Sequence, residues 1–179
     1  MLTYLGLGFF ALTILFFVFV ATRNGKFRYE RSGVINAAPE AIFPYISNLK
    51  LGGQWSPSEI KDPNMKKVFS GPADQAGGKM AFEGNRDAGS GSVEILKVVK
   101  NQRVDLSLKM IKPFKADNLV EYTLMPVASG GTRLTWTMSG EGGFMGKLVV
   151  VMIDWEKVVG DEFVRGIENL KVLIEKPQS

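Results

Sequence analysis

A run of apolar and polar positions with helical spacing lies near the C-terminus, between Phe144 and Glu175. At 100° per residue, its apolar side chains fall on one side and most of its charged side chains fall on the other. The apolar side consists of Leu148, Met152, Trp155, Val159, Phe163, Ile167, Leu170 and Ile174. The pattern predicts one long amphipathic helix, which we expect to lie across a curved antiparallel sheet and close its concave face.

One acidic residue interrupts this pattern. Glu156 projects toward the apolar side, between Met152 and Phe163. Because burial of a carboxylate is costly unless the group is paired or protonated, Glu156 either belongs to a binding site or is exposed at the rim of the helix.

Upstream of this helix, short apolar runs are separated by glycine-containing turns, which is typical of an antiparallel meander. From Arg103 to Lys109 the alternation is clean, and Val104, Leu106 and Leu108 are predicted to face the core. The alternation breaks between Ile95 and Val99, so the sequence does not predict which of these side chains face the core. Strands are predicted at 26–37, 66–70, 79–84, 92–100, 103–109, 119–125 and 132–139, and short helices at 39–47 and within 49–57. About seven strands between flanking helices indicate an α+β fold.

The chain begins with an apolar stretch without charged residues, from Leu2 to Ala21. About 20 apolar residues in a helix are enough to cross the hydrocarbon core of a bilayer. A cleaved signal peptide would need a basic start and small residues at its end, whereas Val18 to Ala21 is bulky. We therefore expect an uncleaved transmembrane anchor at 1–22, a linker at 23–26 and one domain at 27–179.

The charges predict the orientation of this single-pass anchor. Arg23, Lys26, Arg28 and Arg31 all follow the apolar stretch, and no charged side chain precedes it. Because positive residues favour the cytoplasmic side, the domain is expected there, at the membrane.

Composition excludes several classes of chemistry. The 179 residues include no cysteine and no histidine, so the usual zinc sites, His-based triads and cysteine nucleophiles are impossible. No metal or other cofactor is expected. The net charge of +4 comes from interspersed acids and bases, which suits an anionic membrane surface better than nucleic acid.

Several short motifs together carry a family resemblance. They are Trp55-Ser56-Pro57, Asp62-Pro63-Asn64-Met65, Phe69-Ser70-Gly71-Pro72, Lys112-Pro113-Phe114 with Asn118, Gly131-Thr132, Thr135 to Gly140, Gly160-Asp161-Glu162-Phe163 and Asn169-Leu170-Lys171. In this order they resemble the polyketide cyclase/dehydrase-type members of the SRPBCC superfamily, which also includes the START lipid-transfer domains. The resemblance covers about Phe27 to Glu175.

The resemblance implies a helix-grip fold, in which the sheet wraps round the C-terminal helix and leaves an apolar cavity between them. It implies no shared catalytic set, because this fold carries binding proteins, transfer proteins and some enzymes. Ser58 and Phe82 stand where tryptophans are expected in relatives, which changes the size and polarity of the cavity mouth.

The candidate ligand-binding residues are inward-facing apolar and aromatic side chains with a few polar groups, as small-molecule pockets require. They are Met80, Phe82, Tyr122, Trp136, Met138, Met152 and Glu156, with Tyr45 and Trp55 near the mouth. The alternative is that these side chains fill the space as ordinary core.

These observations favour a membrane-anchored module that binds a small hydrophobic molecule such as a lipid, an isoprenoid or a polyketide-like compound. A second hypothesis, less favoured, is a cyclase or dehydratase in which Glu156 acts as general acid or base and Tyr122 polarises a carbonyl. A third is an interaction protein that holds a protein partner at the membrane.

Overall fold

The computed structural model describes residues 2–128, 130–144, 146–148 and 154–176. Its helices are α1 (Leu2–Thr22), α2 (Pro39–Ser47), a 3₁₀ helix (Leu49–Gln54), α3 (Pro57–Lys61) and α4 (Trp155–Glu175). Its strands are β1 (Lys26–Ile35), β2 (Lys66–Ser70), β3 (Lys79–Glu83), β4 (Ser90–Val99), β5 (Arg103–Lys112), β6 (Ala116–Pro126) and β7 (Thr132–Glu141). The predicted α+β class is confirmed. The short helix expected within 49–57 is the 3₁₀ helix, and Pro57 opens a further helix, α3.

The sheet has seven strands in the order β1-β7-β6-β5-β4-β3-β2, and each neighbouring pair is antiparallel. The first strand therefore lies beside the last, with Lys26 opposite Glu141 and Ile35 opposite Thr132. This pairing brings the two ends of the domain together, so that α4 crosses the sheet beside β1.

The inward faces follow the predicted alternation. Val104, Leu106, Val120 and Leu124 are buried in one core with residues of α2 and α4. In β4 the register shifts between Ile95 and Lys97. This β-bulge explains why that strand has no regular alternation in sequence.

Helix α4 starts later than predicted. Asp154 is its N-cap, with a non-helical backbone (φ −70°, ψ 78°), and its carboxylate accepts a hydrogen bond from the Lys157 N–H at 3.0 Å. The side chain satisfies a backbone donor that the start of a helix leaves open. A continuous helix from Phe144 is therefore wrong at Asp154, and part of the predicted span, including Met152, lies outside the described residues.

Glycines let α4 approach the sheet closely. A Cβ on Gly166 would lie 2.5 Å from Cζ3 of Trp136, and a Cβ on Gly33 of β1 would lie 2.6 Å from Cγ2 of Ile167. Only residues without a side chain fit at such separations. The two glycines therefore set the distance between helix and sheet.

Helix α1 covers the whole N-terminal apolar stretch from Leu2 to Ala21. Within the part of the chain that the structure describes, no helix is both long and apolar enough to cross a membrane. The predicted transmembrane helix is therefore not supported, and the division of the chain at residues 22 and 26 stays a prediction.

Candidate functional site

A cavity of about 170 Å³, cavity A, lies between the sheet, the segment that carries α2 and α3, and α4. Six of the predicted site residues line it: Trp55, Met80, Phe82, Tyr122, Trp136 and Met138. The other lining residues are Ile46, Asn48, Leu49, Gly52, Ser56, Ser58, Glu59, Met65, Val93, Leu106, Leu108, Val120 and Phe163. The walls are mostly apolar with a few polar groups, as in small-molecule sites.

Aromatic rings form one wall of cavity A. The Trp136 indole stacks on the Phe163 ring with centroids 4.4 Å apart, and Tyr122 meets Trp136 edge-on at 5.1 Å. Trp55 is edge-on to both, at 5.7 Å from Tyr122 and 5.5 Å from Trp136. Such pairs each add about 0.5–1.5 kcal/mol beyond the area that they bury. These contacts stabilise the arrangement of the rings in the wall.

Tyr45, predicted near the mouth, does not line cavity A. Its backbone carbonyl accepts a hydrogen bond from Nε1 of Trp55 at 2.9 Å. Tyr45 therefore positions a lining residue.

The aromatic wall carries two polar groups, the indole N–H of Trp136 and the hydroxyl of Tyr122. Within the described residues, Nε1 of Trp136 is buried and has no hydrogen-bond partner, which is an unfavourable arrangement unless a guest accepts the bond. Burial, and secondarily the charge of Glu59, raises the pKa of Tyr122 well above its ordinary value. Tyr122 therefore lines cavity A as a neutral phenol, able to donate or accept a hydrogen bond.

Glu59 is a buried residue of cavity A that sequence reasoning missed. It lies in the first turn of α3, its side chain is only 8% exposed, and it forms an ion pair with Lys67. Gly52 faces this carboxylate, and a Cβ there would collide with Oε1 of Glu59. Since an acid in the first turn of a helix is ordinarily a solvated residue favoured by the helix dipole, only the spacing of Gly52-Gly53 before Pro57 could have hinted at its burial.

Glu156 does not line cavity A. Its side chain is 65% exposed, and one carboxylate oxygen lies 3.7 Å from Nη1 of Arg31. Because α4 begins at Trp155, Glu156 falls in its first turn, at the open end of the helix. The structure corrects the cavity interpretation and places this carboxylate at the rim; Met152 lies outside the described residues.

A second cavity of about 330 Å³, cavity B, lies under the N-terminal end of α4. It is lined by Asn24, Gly25, Lys26, Phe27, Tyr29, Arg86, Asp87, Ala88, Leu108, Met110, Pro113, Phe114, Lys115, Ala116, Asn118, Met138, Gly142, Gly143, Gly146, Lys147, Trp155 and Val159. Leu108 and Met138 line both cavities and so form the partition between them. The sequence did not predict cavity B, because most of its walls come from loops and strand ends. In these segments no alternation of apolar and polar residues identifies the inward side chains.

A seven-stranded antiparallel sheet with α4 across it and cavities between them defines a helix-grip protein. Residues 26–175 match the family model described as polyketide cyclase / dehydrase and lipid transport, and the chain belongs to this family. The predicted SRPBCC-type resemblance is thereby confirmed. No curated protein matches the chain.

Solved structures with similar folds come from several bacteria. A protein of Mesorhizobium loti is 17% identical with a TM-score of 0.62, over 86% of this chain and 100% of that one. The Aha1 dimer of Colwellia psychrerythraea is 17% identical with a TM-score of 0.60, over 86% and 99%. A protein of Chromobacterium violaceum is 17% identical with a TM-score of 0.58, over 85% and 98%. At this identity the likeness shows the fold alone.

Proposed function

We propose that this protein binds a small hydrophobic molecule in cavity A. The observation that carries the proposal is an apolar hollow beneath α4. One of its lining residues, Trp136, has a buried indole N–H without a hydrogen-bond partner among the described residues. Cavities of about 150 Å³ with apolar walls bind guests as large as benzene. The volume of about 170 Å³ therefore suits one ring or a short branched chain that carries one acceptor.

The family supports this class of function in general terms. Its description includes lipid transport as well as polyketide cyclase and dehydrase activity, and lipids and polyketides are both largely apolar. Ser58 and Phe82, where relatives are expected to carry tryptophans, line cavity A. These two residues would give this chain its own ligand preference.

Methionine methyl groups offer a local test of binding. Met80 and Met138 line cavity A, while Met125 is 65% exposed elsewhere. In the full chain with methyl-labelled methionines, toluene or indole is expected to shift the NMR signals of Met80 and Met138 and to leave Met125 unchanged. No shift at millimolar concentrations of either compound would contradict the proposal.

Closure of the mouth provides a matched pair of variants. Ser58 is at the mouth of cavity A, whereas Ser32 is exposed on β1 and lines neither cavity. Met80 lines cavity A only. Ser58→Trp is expected to abolish the shift of Met80, and Ser32→Trp is expected to keep it. Equal shifts in both variants would place the guest elsewhere.

We also propose that residues 2–21 attach the protein to a membrane. Support comes from the exposed apolar side chains of α1, including Phe9 (75% exposed), Phe10 (64%) and Leu12 (67%), because contiguous apolar surface is unfavourable in water. The full chain is expected to float with phosphatidylglycerol-containing vesicles and to resist alkaline extraction, and Phe9→Glu with Leu12→Glu is expected to release it. A wild-type chain that stays in the soluble fraction would contradict this.

The predicted orientation, with the domain on the cytoplasmic side, has its own test. The chain has no cysteine, so Lys97→Cys introduces a single thiol into the domain. An impermeant maleimide should label it only after the cells are opened. Labelling of intact cells would place the domain outside.

A second candidate function is catalysis of a cyclisation or dehydration, with Glu59 in the role expected of Glu156. The observation that favours it is a buried carboxylate in cavity A whose charge is felt by Tyr122. Glu59 would move a proton and Tyr122 would donate a hydrogen bond to a carbonyl. The test is turnover of a polyketide-like ketone. Glu59→Gln should abolish this turnover, while toluene should still shift the Met80 signal. Turnover by Glu59→Gln would contradict a catalytic role for Glu59.

A further inference from the structure

Cavity B differs from cavity A in size and in the chemistry of its walls. Its volume of about 330 Å³ falls within the range of ligand pockets. Its inner part is aromatic and aliphatic: Phe27 stacks on Tyr29 with centroids 4.9 Å apart, and Phe114 lies 6.0 Å from Trp155. These walls suit an apolar chain.

Cationic side chains dominate the charged part of the lining. Lys26, Arg86, Lys115 and Lys147 line cavity B, against a single acid, Asp87. Among the ion pairs of the described residues, none involves any of these four cations. They therefore leave an excess of positive charge beside an apolar hollow.

Lys147 is the most confined of these cations. It is half-buried, and its Nζ donates a hydrogen bond to the backbone carbonyl of Ala21 at 3.0 Å. A Cβ on Gly25 would lie 3.2 Å from Cε of Lys147, so the stem of this side chain is held against the backbone. Because an ammonium has three donors, two remain for a ligand.

Two further acids lie near this end of α4 but outside the lining. Asp154 and Glu156 contribute to the raised pKa of Tyr29, after the larger effect of burial. Asp154 is occupied as the N-cap of α4, and Glu156 faces Arg31. Neither carboxylate lines the cavity, so the lining itself contains four cations and one acid.

We infer that cavity B binds a single-chain amphiphile with a carboxylate or phosphate head, with the head at Lys147 and its cationic neighbours and the chain directed toward Met138. Charge-assisted hydrogen bonds recognise the head, and burial of the chain supplies the remaining affinity. The Lys147–Ala21 bond places Lys147 at the end of α1. The inference goes beyond the proposed function, because it assigns a second site and does not depend on cavity A being occupied.

Two local probes report on this site. Met110 and Trp155 line cavity B only, and Trp55 and Trp136 line cavity A only. In the full chain in phosphatidylcholine nanodiscs, dodecanoate and dodecyl phosphate are expected to shift the Met110 methyl signal at concentrations about tenfold lower than dodecanol or dodecyltrimethylammonium do. Brominated dodecanoate is expected to quench Trp155 first.

Charge variants complete the test. Lys147→Met is expected to raise the apparent Kd for dodecanoate about tenfold and leave that for dodecanol unchanged. Lys97→Met, on an exposed lysine that lines neither cavity, is expected to change neither. Circular dichroism of Lys147→Met checks its fold, and Lys115→Glu gives a second charge change at the rim if Lys147→Met does not fold.

Three outcomes would overturn the inference: equal affinity for dodecanoate and dodecanol, a Met110 shift with inorganic phosphate alone, or no Met110 shift with any amphiphile. Toluene-dependent shifts of Met80 report on cavity A in the same samples. Failure of the second site is therefore distinguishable from failure of the proposed function.

Discussion

Gly166 of α4 lies directly against the indole of Trp136. A Cβ at Gly166 would lie 2.5 Å from Cζ3 of Trp136 and 3.2 Å from Cδ of Pro57, so a side chain there would push the helix away from the wall of cavity A. The contact couples the position of α4 to the shape of the cavity.

Gly166→Ala is expected to destabilise the protein by about 1–3 kcal/mol, because overpacking against a rigid ring exceeds the gain of about 1 kcal/mol in helix propensity. Gly160→Ala is the matched control. A Cβ at Gly160 would meet the guanidinium of Arg31, the end of a flexible side chain that can move, so this variant is expected to be neutral or stabilised. Urea unfolding compares the two, and equal stabilities would contradict the proposed spacing.

Trp55 and Trp136 differ in what their indole N–H groups contact. Nε1 of Trp55 donates to the carbonyl of Tyr45, whereas Nε1 of Trp136 has no partner among the described residues. Trp55→Phe is therefore expected to cost about 1 kcal/mol more than Trp136→Phe in the free energy of unfolding. A larger cost for Trp136→Phe in ligand-free protein would show that its N–H is already bonded.

The Glu59–Lys67 pair is expected to behave as a buried ion pair. Removal of one partner, in Glu59→Gln or Lys67→Met, should cost about 3 kcal/mol, and the double variant should cost less than the sum of the two. The control is the more exposed Lys61–Glu162 pair, for which each single change should cost at most about 1 kcal/mol. Additive losses at Glu59 and Lys67 would mean that the two charges do not interact.

Deprotonation of two tyrosines is expected to lower the free energy of unfolding at alkaline pH. The pKa values of Tyr29 and Tyr122 are both raised in the folded protein, in each case chiefly by burial. The unfolded chain therefore loses these protons first, so their contribution to stability is complete below about pH 10 and is lost as the pH rises above it.

Tyr122→Phe should make this alkaline loss of stability less steep, and the measurement is the free energy of unfolding between about pH 9 and pH 11. Tyrosinate absorbance in the native protein should not include Tyr122 before unfolding. An identical pH slope in the variant and the wild type would contradict burial of this hydroxyl.

The sequence predicted the strands and six residues of the wall of cavity A, because period-two alternation identifies inward positions such as Tyr122 and Met138. The sequence did not predict the start of α4, which a single capping side chain sets, or the burial of Glu59. Asp154 caps α4, which starts the helix later than the periodicity predicted. Of the two alternatives for Glu156, the cavity and the exposed rim, the structure has the rim. Burial of Glu59 depends on Gly52 and Lys67, whose approach is a tertiary contact that no local pattern records.

A crystal structure of the protein under xenon pressure would show whether cavity A is an apolar hollow able to hold a guest. Dry apolar cavities of this size take up xenon. We expect a xenon atom to bind between Met80, Tyr122 and Trp136. Side chains that fill this space and leave no xenon there would contradict it.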